Sequence, residues 1–176
     1  MARGLFLAVG LLALSAPAGA SAQSMNVRQI VDDVVGQVCA PLAQGGDLRS
    51  AARAAERLGY SLVAVEPDHR MGAADLQPEP RALIFTRRHH GTVRISRDYD
   101  HVLCSLGVEE GGVGRSAEAA EPHLRALGLT PVIDERDGDL PLSVWRGERT
   151  QAVIARSPHH RPGVEVILTV HAPRGR

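Results

Sequence analysis

Two pairs of adjacent histidines, His89-His90 and His159-His160, are the residues whose type and spacing point most directly to chemistry. Imidazole binds zinc, copper or nickel, and two pairs at hairpin tips on one end of a sheet would supply four nitrogens for one ion. Adjacent His-His is not a spacing that defines a metal motif. Arg87, Arg88 and Arg161 lie beside the pairs and would repel a cation, so two solvated polar turns are the competing reading.

Cys39 and Cys104 are the only cysteines. No Cys-x-x-Cys spacing supports a redox centre or a zinc knuckle. An even pair in an oxidising compartment reads as a disulfide. It would close a loop of about 65 residues, for which chain entropy gives roughly 4 kcal/mol.

Gly111-Gly112-Val113-Gly114-Arg115-Ser116 follows a strand pattern and precedes a helix pattern, where a phosphate-cradling loop would sit. The Gly-x-x-x-x-Gly-Lys-Ser/Thr signature is missing: Glu109 holds the first glycine position and Arg115 the lysine position. The sequence therefore reads as a flexible connection over 109–114, with Ser116 as the cap of the next helix.

There is no Gly-x-Ser-x-Gly elbow and no His-Glu-x-x-His. A hydrolase would need dispersed residues, and such triads are recognised by geometry rather than position. Asp32-Asp33 and Glu109-Glu110 read as solvated faces, Asp98 and Asp100 around Tyr99 as turn formers, and Trp145 as core packing.

Composition narrows the function classes. Basic and acidic residues number 20 each. Removing residues 1–22 takes away only Arg3 and leaves a net charge of −1. A near-neutral chain offers no electrostatic case for nucleic acid or an anionic membrane surface. Aromatic residues are 3% of the chain, too few for platforms that stack sugars or single-stranded bases. Every basic residue is arginine, which reads as the bias of a GC-rich bacterial genome.

The elements that position these residues begin after a segment with the pattern of a secretory signal peptide. Arg3 precedes an apolar run over 4–14, Pro17 and Gly19 break it, and Ala20-Ser21-Ala22 places cleavage before Gln23. The run is too short to span a bilayer, and no cysteine follows the cut. The expected localisation is periplasmic or secreted.

Residues 23–176 read as one domain. A helix is expected over 25–43, with Ile30, Val31, Val34, Val35, Val38, Cys39 and Leu42 on one stripe and Pro41 and Gly45-Gly46 ending it. A second helix runs from an Asp47 cap to a Gly59 stop, burying Leu48, Ala51, Ala52, Ala55 and Leu58. A strand over 60–66 leads into a long irregular stretch, 67–80, of the kind that is mobile or functional. Strands follow over 81–88, 91–97 and 101–108. In the last of these Cys104 shares a face with Val102 and Leu106, so a bridge would pin the first helix to this strand.

A helix over 116–127 contains Pro122, which either lies in its first turn or kinks it. Strands over 130–135, 142–147, 150–157 and 164–171 complete the chain. Leu58-Gly59 and Leu127-Gly128 stand at matching points of a faint repeat. The expected fold class is α+β: a largely antiparallel sheet with helices packed on one face, and the faint repeat points to two αββββ halves.

Val38-Cys39-Ala40, Val102-Leu103-Cys104 and the Leu124 to Leu129 helix end together resemble a loose group of small uncharacterised exported proteins of proteobacteria. The resemblance implies a stable periplasmic α+β domain and brings no catalytic residues. With no catalytic motif, few aromatics and a neutral charge, function is expected to be non-enzymatic: a periplasmic binding or envelope-associated protein, with an envelope protein or a small ligand as partner. The alternatives are a metal-binding protein using the His-His turns and a hydrolase with dispersed residues.

Overall fold

Asn26 starts the first helix, its side chain accepting from the Arg28 amide at 3.2 Å. A computed structural model gives the architecture and describes residues 26–67, 80–98, 100–158 and 163–171. The signal-peptide segment 1–22, residues 68–79 of the long connection, and His159 and His160 lie outside the described residues. Helix α1 spans Val27–Val34 and passes through a π-helical turn, Val35–Cys39, into α2, Ala40–Ala43.

Pro41 does not end this helix. The amide of Ala40 bonds to Val35, five residues back, so the ladder changes register just before the residue that has no N–H to give. The helix ends instead at Gly45, which takes a φ of +100°. The expected apolar stripe is buried throughout, from Ile30 to Leu42.

Helix α3, Leu48–Arg57, is capped by Asp47, whose carboxylate accepts from the Ser50 amide at 2.7 Å. Those hydrogen bonds, the backbone one first, hold the Asp47 carboxyl below its usual range. Helix α4, Val113–Ala126, begins three residues before the expected Ser116. Its cap is Gly112, and Ser116 is fully buried within the helix, which corrects the capping role read for that serine. Pro122 sits well inside this 14-residue helix, at an exposed position. The Glu118 carbonyl that loses its donor also belongs to an exposed residue, which makes the proline tolerable.

The eight strands are β1 Ser61–Pro67, β2 Pro80–Arg87, β3 Gly91–Arg97, β4 His101–Val108, β5 Thr130–Glu135, β6 Leu142–Arg146, β7 Thr150–Arg156 and β8 Val164–His171. They form one antiparallel sheet in the order β1-β2-β3-β4-β8-β7-β6-β5. The order is a palindrome about the β4–β8 pair, so the faint repeat is a structural one. Each half starts with a helix closed by a left-handed glycine, Gly59 at φ +84° and Gly128 at φ +76°. Each then enters an edge strand whose pairing slips at the third residue, Val63 in β1 and Val132 in β5.

The helices cover one face. Val34, Val38, Ala55, Ala120 and Leu124 pack there against Phe85, Ile95, Leu106, Trp145, Ile154 and Leu168 of the sheet. The other face carries Ile84, Arg94, Ser105, Ile167, Val153 and Val144 in one cross-strand register. Cys39 and Cys104 form the expected disulfide, with an S–S distance of 2.05 Å, and join the π turn to β4. No helix among the described residues is long and apolar enough to cross a membrane.

Gly91 fixes the β2–β3 hairpin. It sits at φ +107°, and a Cβ there would overlap the Gly107 carbonyl oxygen of β4. A Gly91→Ala change meets backbone on one side and a disfavoured φ on the other. The expected loss is about 2 kcal/mol or more, read by urea denaturation. A loss under about 0.5 kcal/mol, the usual surface effect, would mean that the close approach of β3 and β4 is wrong.

Candidate functional site

A cleft of about 980 Å³ lies where β7 and β8 meet the amino end of α4. Its volume falls within the range of small-molecule sites. The glycines of the 111–114 segment form one wall. Gly112 lies open, with nothing within 4 Å of where a Cβ would stand. Gly114 comes within 3.7 Å of Arg136 by the same measure, so the helix end abuts the β5–β6 connection.

Because the cap is glycine, no side chain accepts from the first-turn amides of α4. The amides of Val113, Gly114 and Arg115 precede the first intrahelical bond, which Ser116 donates to Gly112 at 3.1 Å. Those N–H groups carry the positive end of a helix dipole.

Three arginines from separate elements line the cleft: Arg115 of α4, Arg136 after β5 and Arg156 at the end of β7. Arg136 is committed to the protein. It meets Asp134 at 2.5 Å and Glu121 at 3.0 Å, and Glu121 is also held by Arg125 at 2.8 Å. Hydrogen bonds from Arg125 and then Arg136 pull the Glu121 carboxyl down, while those to Asp134 and then Glu121 raise the Arg136 guanidinium. Arg115 and Arg156 are exposed and make no ion pair among the described residues. Asp137 is the acidic residue lining the cleft, and no histidine or cysteine lines it among the described residues.

Compared with family models, curated proteins and solved structures, the chain matches none of them. The reading of the site therefore rests on its geometry.

The sequence-derived metal site is not assembled among the described residues. His89 is exposed at φ +61° in the β2–β3 turn. The Nδ1 of His90 lies 2.8 Å from the Arg88 carbonyl, and its Nε2 is buried without a hydrogen-bond partner. The β2–β3 turn and the connection holding His159 and His160 leave the sheet at the same end. Three strand spacings, about 14 Å, separate the two exits. No group of three His, Cys, Asp or Glu side chains among the described residues is placed to hold a metal ion.

Two clusters escaped the sequence reading. Asp32, read as solvated, meets His123 of α4 at 2.7 Å, and Gly36 makes room for that ring. A Cβ on Gly36 would stand 2.5 Å from the His123 Cε1. Among the described residues no serine hydroxyl is hydrogen-bonded to this pair, so it fastens α4 to α1 and makes no triad. The second cluster joins His101, Asp98, Asp100 and His171 at the other end of the sheet. Burial pushes the Tyr60 hydroxyl up to about 12, which removes it as a base near neutral pH.

Proposed function

We propose that the protein is an exported, non-enzymatic binding protein whose cleft at the amino end of α4 takes a small carboxylate- or phosphate-bearing anion. One observation carries this reading. Arg115 and Arg156, on separate elements and without acidic partners among the described residues, face the same cleft as an uncapped helix end. Guanidinium groups and helix N–H groups both favour an anion, and a bidentate guanidinium matches its geometry.

The non-enzymatic reading rests on the sequence, which carries no Gly-x-Ser-x-Gly elbow and no His-Glu-x-x-His. The signal-peptide pattern and the Cys39–Cys104 bridge support export to the periplasm or beyond. Those features also keep the resemblance to small exported proteobacterial proteins as a proposal. An envelope protein could present the same chemistry as an acidic side chain or terminus.

Calorimetric titration of the oxidised chain with inorganic pyrophosphate, at low ionic strength, tests the cleft. The expected result is saturable binding that weakens at least about tenfold when Arg115→Ala and Arg156→Ala are combined, a loss of roughly 1.4 kcal/mol. Equal binding by wild type and variant, or none by either, would contradict it.

A further inference from the structure

A separate cleft, about 550 Å³, lies between the amino end of α3 and the ends of β2 and β3. Leu48 and Ala52 of α3, with Pro80 and Leu83 of β2, give it an apolar floor. Arg49 and Arg53 of α3 and Arg97 of β3 line it as well, and all three are exposed. Arg49 and Arg97 make no ion pair among the described residues. Arg53 donates to the Ser50 hydroxyl at 3.0 Å. Asp47 is the carboxylate of the described lining, and it already accepts from the Ser50 amide at 2.7 Å and hydroxyl at 3.0 Å. Three guanidinium groups against one occupied carboxylate leave the cleft positively charged.

The apolar floor continues onto β1. Val65 is the register partner of Leu83, and Leu62 that of Phe85, so both β1 side chains lie on the helix-covered face. Val65 is 53% exposed there and Leu62 45%. The matching positions of the other edge strand, β5, are Pro131 and Asp134, so this apolar margin belongs to the first half alone. Arg97, the Ile95–Leu83–Val65 row and the Val93–Phe85–Leu62 row follow one another at two-residue steps. Two such steps put Leu62 about 14 Å from the arginine row along the strands.

A small hydrophilic anion gains nothing from this strip, and an uncharged hydrocarbon gains nothing from the arginines. Charge and apolar surface together suit one amphiphile with an anionic head. We propose that the groove binds a long-chain carboxylate, its head on Arg49 and Arg97 and its chain along Leu83, Val65 and Leu62. The groove shares no residue with the cleft at the amino end of α4, so either site can fail alone.

Dodecanoate, titrated below its micelle concentration into the oxidised full chain, tests the proposal. Calorimetry reads the affinity, and carbon–proton spectra of the methyl groups read the place. The expected result is saturable binding, with wild-type shifts centred on Leu62, Val65 and Leu83. Arg49→Ala combined with Arg97→Ala should weaken binding at least about tenfold. Leu62→Ser combined with Val65→Ser should weaken it about tenfold, since chain burial is lost. All four side chains are exposed, so the core stays as it is. Arg115→Ala combined with Arg156→Ala should leave dodecanoate binding unchanged. Equal binding of dodecyltrimethylammonium would overturn the proposal, because the arginines would then select nothing. So would wild-type affinity in either groove variant, or methyl shifts centred elsewhere, a result that needs no variant. A dimer in sedimentation that Leu62→Ser with Val65→Ser abolishes, while dodecanoate stays unbound, would give the strip to a second copy and overturn it too.

Discussion

Replacing Cys39 and Cys104 together by alanine is expected to lower the unfolding free energy by about 4 kcal/mol, because the unfolded chain regains the freedom of a long loop. The bridged residues are 65 apart in sequence, and both are 2% exposed. The bridge is also placed where the structure is irregular. It leaves the helix at the π turn, just before Pro41, and enters β4 beside the centre of the sheet. Domains of this size have total stabilities of about 5–15 kcal/mol, so the loss is a large share. Urea denaturation of the variant, and of the wild type with and without reductant, measures it. A loss under about 1 kcal/mol would mean that helix and strand hold together without the bond.

Trp145→Ala is expected to cost about 3–5 kcal/mol, the range for removing a large aromatic side chain from a core. Trp145 is 0% exposed and is the largest fully buried side chain. Its Nε1–H donates to the Ser143 hydroxyl at 2.9 Å, so its polar atom is satisfied inside the core. The Ser143 hydroxyl in turn reaches Asp134 at 3.3 Å. Arg125 of α4 stands 5.4 Å from the ring centroid, linking the core of the second half to its helix. As the sole tryptophan it also reports on itself. Its emission should be blue-shifted in the folded chain and move to the red in step with the urea transition. A loss near 1 kcal/mol would place the ring at the edge of the core instead.

Local pattern carried most of the fold into view. The apolar stripe from Ile30 to Leu42, the Asp47 cap, the Gly59 stop and the alternation around Cys104 each depend on near neighbours, and each is present. Pro41 and Ser116 depart from what residue type alone predicts for them. A π turn absorbed the proline, and an uncapped glycine took the place of the serine cap.

The edge strands show the same limit. Leu62, Val63, Val65, Val132 and Ile133 have strand-core sequences but lie exposed on β1 and β5, the two edge strands. Their position follows from the palindromic strand order, which the Leu58-Gly59 and Leu127-Gly128 repeat only hinted at. The candidate sites were less legible. Arg115, Arg136 and Arg156 meet because β4, β5 and β7 end on the same side, and no spacing in the chain encodes that. His101 and His171 face each other only once β8 pairs with β4 across the centre. These two histidines, neighbours in space, are 70 residues apart in sequence.

The most direct measurement is a set of amide proton–nitrogen spectra of the oxidised chain during titration with inorganic phosphate. The expected result is a saturable shift centred on the amides of Val113, Gly114 and Arg115, lost when Arg115→Ala and Arg156→Ala are combined. Shifts spread over the surface arginines without saturation, or a focus away from the amino end of α4, would contradict the anion-binding cleft.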